Sequence, residues 1–266
     1  MNITYARQIQ IFHTFAALVY RDVSIFIPFL LEKFINALVW IGSVTIAFEY
    51  IFPQLGMSRM GGFIAVGGMV AWNFFAMLGH INTFLADLEG EKSISYYLTL
   101  PISQGLVITR MAVSIGIQGI LLSLFFLPVL KLLLGSGLSF AQLSYGKFFF
   151  IYCLYNFLYG AMTLVFVSLV NHVYGVMTIW QRYMWTLWYF GCAQFSWETL
   201  YKVNPTIAYL NLLNPVTYAM EGTRAAVFGQ EGSLNYWYCC AMIWIFTSLA
   251  LWIGVKRLKK RLDCLR

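Results

Sequence analysis

Residue types that catalyse reactions or bind metals are few in this 266-residue chain, which has 10 acidic residues, three histidines and five cysteines. The histidines and cysteines lack the spacing of metal ligands or of a disulfide framework. The nucleotide-binding loop GxxxxGK[ST] and the hydrolase motifs HExxH and GxSxG are absent from the sequence. Glu32, Glu49, Asp87 and Glu198 lie near the ends of apolar segments, whereas ion-coupled carriers usually place ionisable groups near the membrane midplane. The sequence therefore predicts a chain that is not an enzyme and that binds no metal or cofactor of its own.

Charged residues precede a short apolar cluster in the segment 87–103. The residues singled out there are Asp87, Glu89, Glu91, Lys92, Tyr96, Tyr97, Leu98 and Pro101. Acidic residues at the front favour a short helix, because they stabilise its positive N-terminal end, and Pro101 prevents its continuation. A partly apolar helix at a membrane surface is costly unless something covers it. The segment is therefore predicted to bind a partner protein, with the chain's own cytoplasmic ends as the alternative cover.

The segment 198–235 contains apolar runs that are too short to span a membrane. The pair Asn214-Pro215 favours a helix start, because proline is common at the first helical position. Tyr218, Glu221 and Arg224 follow at steps of three, so they share one helical face. These patterns predict two re-entrant half-helices on the outer side of the membrane. The alternative is a folded loop that lies flat on the lipid headgroups.

The apolar segment 177–197 is rich in aromatic residues. The five of interest are Trp180, Tyr183, Trp185, Trp188 and Tyr189. Because aromatic faces can stack on sugars or line an apolar conduit, these residues are predicted as a possible substrate pathway. The alternative is that they form an interfacial belt and pack against neighbouring helices.

The composition predicts a membrane protein. Hydrophobic residues make up 61% of the chain and charged residues 10%, whereas about 25% of residues are charged in soluble domains. A helix needs about 20 apolar residues to cross ~30 Å of hydrocarbon. Six segments meet this length, and they are 25–50, 62–85, 106–134, 148–170, 177–197 and 236–255. The predicted fold class is an all-α polytopic membrane protein with six transmembrane helices.

Lysine and arginine residues are distributed unequally between the two sides that six spans would separate. The side with both termini holds 12 of the 17, and the opposite side holds five. Because cytoplasmic loops are enriched in these residues, both termini are predicted to lie in the cytoplasm. The net charge of +7 then reflects loops beside an anionic leaflet, and nucleic acid is not a predicted partner.

The chain is predicted to divide into three regions. Residues 1–24 place apolar side chains at helical spacing, which is typical of an amphipathic helix along the cytoplasmic interface. Residues 25–255 form the six-helix transmembrane domain. Residues 256–266 are a basic cytoplasmic tail that anchors the last span.

Two segments resemble motifs of the membrane-spanning subunits of ABC-2 type exporters, which are six-span permeases paired with a separate ATPase. The stretch from Asp87 to Ser103 is similar to that family's acidic lead-in and Leu-x-x-Pro-like stretch. The stretch from Leu213 to Arg224 is similar to its Asn-Pro, Tyr, Glu and Arg block before the last span. The order of predicted spans resembles the family over most of the chain.

The resemblance implies a role for each segment. Residues 87–103 would be the coupling helix that docks on the ATPase, and residues 1–24 the interface helix beside it. Residues 198–235, including Asn214, Pro215, Tyr218, Glu221 and Arg224, would close the outer end of the pathway. The implied partners are two ATPase subunits, which bind ATP and Mg, and a second copy of this chain or a related permease. The implied location is the bacterial plasma (inner) membrane, in contact with membrane lipid.

The resemblance further implies export of a hydrophobic or amphipathic substrate, such as a drug, a lipid or a lipid-linked molecule. A competing substrate is a lipid-linked polysaccharide of the O-antigen, capsule or teichoic-acid type. Exporters of that branch are expected to have an arginine-rich stretch that enters the first span, but residues 28–33 read PFLLEK. Two functions of a different class compete with export: an intramembrane enzyme that modifies lipids, and a membrane scaffold without transport activity.

Overall fold

The computed structural model describes residues 3–90 and 93–263, and all regular secondary structure within these ranges is helical. Five helical stretches within these ranges are long and apolar enough to cross a membrane: Arg7–Leu55, Gly61–Glu89, Gln104–Leu134, Tyr145–Leu169 and Tyr236–Leu262. The predicted all-helical class is therefore confirmed for the described part of the chain, whereas the fifth predicted span, 177–197, stays a prediction.

The first stretch contains α1 (Ile3–Phe26) and α2 (Leu30–Ile46), which are joined by a 3-10 turn at Ile27–Phe29. Pro28 explains this turn, because proline lacks the N–H of the i→i−4 hydrogen bond and its ring collides with the preceding turn. The predicted boundary between an interface helix and a first span therefore falls within one nearly continuous helical stretch.

The centre of the bundle is α7 (Tyr145–Leu169), which packs against α3 (Gly61–Glu89), α5 (Gln104–Ser123) and α13 (Tyr236–Asp263). The third stretch is broken between α5 and α6 (Phe126–Leu134). Pro128 accounts for the break, because it cannot donate a hydrogen bond to the carbonyl of Leu124.

The region of the fifth predicted span, 177–197, is helical over a shorter length. It consists of a 3-10 turn at Val173–Gly175, α8 (Val176–Thr178), a π-helical stretch at Ile179–Met184 and α9 (Trp185–Tyr189). A turn follows in which Cys192 has a φ of +61°, a conformation that non-glycine residues adopt rarely. Three helices come next: α10 (Trp197–Val203), α11 (Pro205–Asn211) and α12 (Pro215–Phe228).

Gly160 lies where α7 crosses α5. A Cβ at this position would overlap the carbonyl oxygen of Ala112, so the helices approach closely because residue 160 has no side chain. We expect Gly160→Ala to destabilise the chain by roughly 1–3 kcal/mol, as overpacked cores do, which thermal unfolding in detergent measures. Gly146→Ala is the control, because its Cβ would have no neighbour within 4 Å. Equal unfolding midpoints for the two variants would contradict the prediction.

Candidate functional site

The single-turn helix α4 (Ser93–Tyr97) is capped by a residue of the preceding helix. The Asp87 carboxylate accepts hydrogen bonds from the Ser93 N–H at 3.0 Å, from the Ser93 hydroxyl and from the Ile94 N–H at 3.1 Å. A carboxylate is favourable there because the first N–H groups of a helix have no partner within it. The predicted short helix is present, but it is shorter than the predicted range 87–103.

Glu89, the second acidic residue predicted for this segment, belongs to α3. Glu89 lies at the end of α3, rather than at the front of the short helix. Its carboxylate accepts a hydrogen bond from the Val173 N–H at 3.0 Å and lies 3.3 Å from His172 Nδ1. Glu89 therefore ties the end of α3 to the turn before α8. Glu91 and Lys92 lie outside the described residues.

Tyr97 is held between two arginines from different helices. Its hydroxyl accepts a hydrogen bond from Arg21 of α1, and its ring centroid lies 4.4 Å from Arg21 Cζ and 4.8 Å from Arg110 Cζ. Both guanidinium groups also bind Asp22, through Arg21 Nη2 at 2.6 Å and Arg110 Nη1 at 3.2 Å. These four residues, here called the α4 cluster, connect α4 directly to α1 and α5.

The segment around α4 has an inner and an outer face. Leu98 packs against a small hydrophobic cluster that includes Leu18 of α1 and Val107 of α5. Tyr96, in contrast, is 66% exposed, and Pro101 is exposed as well. Tyr97 and Leu98 therefore fix the segment to the bundle, whereas Tyr96 and Pro101 present a surface that a partner can contact.

The second predicted segment ends in α12, which starts as the sequence predicts. Asn214 accepts a hydrogen bond from the Val216 N–H at 3.0 Å, and Pro215 occupies the first helical position. Every residue from Val216 to Val227 is buried, because α12 packs between α3, α7 and α13. α12 therefore belongs to the core of the bundle, whereas α10 has no buried residue.

Glu221 and Arg224 form a buried ion pair on α12. Arg224 Nη1 lies 3.4 Å from Glu221 Oε1, and the Arg224 and Glu221 side chains are 1% and 0% exposed. Arg224 also donates hydrogen bonds to the carbonyls of Cys192 at 2.5 Å and Ala193 at 2.8 Å, while Glu221 accepts one from the Leu234 N–H at 3.2 Å. The pair therefore holds together the two connections that flank α10–α12.

Tyr218 joins α12 to the neighbouring elements. Its hydroxyl donates a hydrogen bond to the Leu212 carbonyl at 2.6 Å, and its ring packs edge-on against Tyr238 of α13 at 5.8 Å between centroids. Asn214 reaches in the opposite direction, from its side-chain amide to the Leu187 carbonyl at 2.7 Å. The predicted block of Asn214, Tyr218, Glu221 and Arg224 thus acts as a set of structural ties around α12.

Three of the five aromatic residues predicted for a substrate pathway pack on Phe75 of α3, and a fourth packs on one of these three. Trp180, Trp188 and Trp185 lie 5.1, 5.3 and 6.3 Å from Phe75 between ring centroids. Tyr189 adds a contact of 4.9 Å with Trp188. Aromatic pairs of this kind contribute ~0.5–1.5 kcal/mol each beyond the area that they bury. In the described residues these side chains therefore attach the 173–189 region to α3.

Tyr183, the fifth of these aromatic residues, packs against Phe166 of α7 at 6.4 Å. None of the five lines the cavity of about 1050 Å³ that α1, α2, α3, α5 and α7 enclose, to which Trp72 of α3 contributes instead. Their packing against neighbouring helices is thus observed, and their role in a pathway stays a prediction.

A cavity of about 1050 Å³ lies between α1 and α2 on one side and α3, α5 and α7 on the other. It is lined by Arg21, Asp22 and Arg110 of the α4 cluster, and by Lys33 and His80. Its deeper wall contains Asn73 and Asn156, whose side chains form a hydrogen bond of 2.9 Å, and Gln118.

Sequence reasoning missed the α4 cluster and this polar wall. The signal that could have found them is the occurrence of polar residues inside apolar segments, which is costly and often functional. Arg110, Asn73 and Asn156 each lie within a predicted span. Their convergence depends on how the helices pack, which their spacing along the chain does not reveal.

The fold and the geometry define an all-helical chain with helices that can cross a membrane, compatible with a multi-pass membrane protein. No protein-family model matches the chain, and no curated protein matches it at a significant level.

Proposed function

We propose that this chain is the transmembrane permease subunit of an ATP-driven ABC exporter. It moves a hydrophobic or amphipathic substrate out of the cytoplasm or the inner leaflet, and a separate ATPase supplies the energy. In this proposal the chain has six spans, including 177–197, and both termini face the cytoplasm of a bacterial cell. The proposal is based on the resemblance of residues 87–103 and 213–224 to motifs of ABC-2 permeases.

The observation that best supports the proposal is the α4 cluster. A partner that binds the exposed face of α4 and displaces it would pull on Tyr97, and therefore on Arg21 and Arg110. Both arginines line the cavity. A displacement of α4 would therefore be transmitted through a hydrogen bond and cation–π contacts to two residues that line the cavity.

The buried helix α12 supports the proposed outer gate. The helices α10, α11 and α12 are 7, 7 and 14 residues long, so none could cross ~30 Å of hydrocarbon. Short helices at membrane depth are tolerated where protein surrounds them, and α12 is surrounded in this way. In this proposal α11 and α12, which begin at Pro205 and Pro215, are the two re-entrant half-helices before the last span.

The exposed face of the first helical stretch supports a membrane position and leaves room for a second permease chain. Phe12, Leu31 and Val39 are 69%, 69% and 63% exposed. Large apolar surfaces of this kind contact lipid or another protein. In the proposed exporter, two permease chains and two ATPase subunits complete the assembly.

The test is to reconstitute the chain, purified from its native membrane in mild detergent, into liposomes. We expect the preparation to contain an ATPase subunit whose hydrolysis of ATP depends on the permease, and to accumulate an amphipathic substrate in inverted vesicles on addition of ATP. A chain that purifies without any ATP-hydrolysing subunit would contradict the proposal. Conversion of a lipid without ATP would instead favour a lipid-modifying enzyme.

A further inference from the structure

The charges around the cavity are not balanced by its own side chains. Asp22 is shared by Arg21 and Arg110, and Asp87 caps α4. Among the described residues, no carboxylate oxygen lies within 4.0 Å of Lys33 Nζ. Lys33 is thus the cation at the cavity whose charge has no direct counterion there.

Polar atoms of the wall also lack partners. Arg110 Nε, Trp72 Nε1 and Asn73 Oδ1 are buried and make no hydrogen bond within the described part of the chain. All three side chains line the cavity, and Arg110 is only 3% exposed. Arg110 Nε and Trp72 Nε1 are donors, and a buried donor without an acceptor is unfavourable. These two groups therefore favour a ligand that brings oxygen acceptors into the cavity.

The side of the cavity that opens outwards carries apolar side chains beside Lys33, which is itself exposed. Ile25 and Phe29, at the junction of α1 and α2, line the cavity and are 60% and 53% exposed. Gly79 of α3 is exposed on the facing wall. A hydrocarbon chain fits such a surface, whereas a free anion gains nothing from it. The cavity therefore combines an interior with unpartnered hydrogen-bond donors and an opening where a cation lies beside apolar side chains.

We propose that this cavity binds an anionic amphipath, with an oxygen-rich acidic headgroup such as a phosphate at Lys33 and Arg110 and its hydrocarbon tail at Ile25 and Phe29. The volume of about 1050 Å³ is sufficient for a ligand of this size, since ligand pockets usually measure roughly 300–1,000 Å³. The ligand arrives from the membrane leaflet rather than from the aqueous phase. The inference that this ligand is the transported substrate rests on the proposed function. The inference that the cavity binds it does not.

The test measures binding to the purified full-length chain in maltoside micelles by native mass spectrometry, without any ATPase. The probes are hexadecyl phosphate, hexadecylphosphocholine, which has the same tail but a compensating cation, and inorganic phosphate. We expect one hexadecyl phosphate per chain, binding by hexadecylphosphocholine that is about tenfold weaker, and no competition from inorganic phosphate at equal concentration. Equal binding of the two amphipaths would overturn the anionic headgroup. Displacement of hexadecyl phosphate by an equal concentration of inorganic phosphate would overturn the claim that the ligand enters from the membrane.

Two pairs of variants locate the site. Lys33→Gln should weaken the binding of hexadecyl phosphate about tenfold, because it removes the charge opposite the headgroup. The exposed Lys259→Gln on α13 should leave it unchanged. Gly79→Leu should block binding by adding bulk at the cavity, and Gly146→Leu is its control, because a Cβ at either glycine has open space within 4 Å. Equal affinities within both pairs would overturn the site.

Binding and transport can fail separately in this design. A chain that binds hexadecyl phosphate but shows no ATP-dependent function contradicts the exporter proposal alone. A chain that couples to an ATPase but binds both amphipaths equally contradicts the ligand site alone.

Discussion

Arg224→Met is expected to destabilise the chain by about 3–5 kcal/mol, because it leaves the buried Glu221 carboxylate without its cation. The same change removes the hydrogen bonds from Arg224 to the carbonyls of Cys192 and Ala193. Unfolding of the purified chain in mixed detergent micelles, followed by circular dichroism, measures the loss. A decrease of less than about 1 kcal/mol, the range of exposed ion pairs, would contradict a structural role for the Glu221–Arg224 pair.

The matched control is a second ion pair of the same region. Lys202 Nζ lies 2.6 Å from Glu198 Oε1, with side chains that are 72% and 43% exposed. Since water already solvates these charges, Lys202→Met should cost at most ~1 kcal/mol. The double variant Glu221→Gln/Arg224→Met should recover part of the loss, because no uncompensated buried charge remains.

The pH dependence of the Arg224→Met variant provides an independent check. Burial raises the pKa of the Glu221 carboxyl, and the Arg224 guanidinium opposes this shift. Without the guanidinium the folded chain favours the protonated carboxyl still more, so stability falls as the pH rises through the folded-state pKa. The stability lost by the variant relative to the native chain should therefore decrease as the pH is lowered towards the ordinary pKa of a glutamate side chain. A deficit that does not change with pH would contradict this explanation.

Local patterns predicted local structure well. Asn214 and Pro215 start α12 in the structure as the sequence predicts, because capping depends on residues within one turn. Pro28 and Pro128 likewise explain helix interruptions from their own chemistry. The all-helical class followed from composition, because apolar segments of sufficient length leave few other structures in lipid.

Features that depend on packing could not be predicted in this way. The segment 177–197 is rich in aromatic residues and long enough for a span, yet its helix ends at Tyr189. Three of the aromatic residues of that segment pack on Phe75 of α3, more than 100 residues away in sequence. The α4 cluster brings together Arg21, Tyr97 and Arg110, a convergence that requires the relative positions of three helices.

The structure also changes which residues of α4 should be tested for contact with the ATPase. The resemblance treats Tyr96, Tyr97 and Leu98 alike. Tyr97 and Leu98, however, pack against α1 and α5, so acidic substitutions there would disturb the bundle itself. Tyr96 is 66% exposed and makes the more specific probe. A large aromatic residue at the centre of a contact often dominates its binding energy.

Tyr96→Asp is therefore expected to uncouple the proposed exporter while leaving the chain folded. A hot-spot tyrosine contributes about 2 kcal/mol or more to binding, which corresponds to a loss of roughly thirtyfold in affinity for the ATPase. ATP hydrolysis that depends on the permease and substrate accumulation in inverted vesicles should both decrease, whereas the unfolding midpoint of the isolated chain should not. Tyr145→Asp is the control, because Tyr145 is 72% exposed and lies on the side that the charge distribution predicts to be external. If Tyr96→Asp and Tyr145→Asp both retain native turnover and transport, α4 is not the surface on which an ATPase acts, because the only strongly exposed aromatic side chain described in that helix would have been replaced without effect.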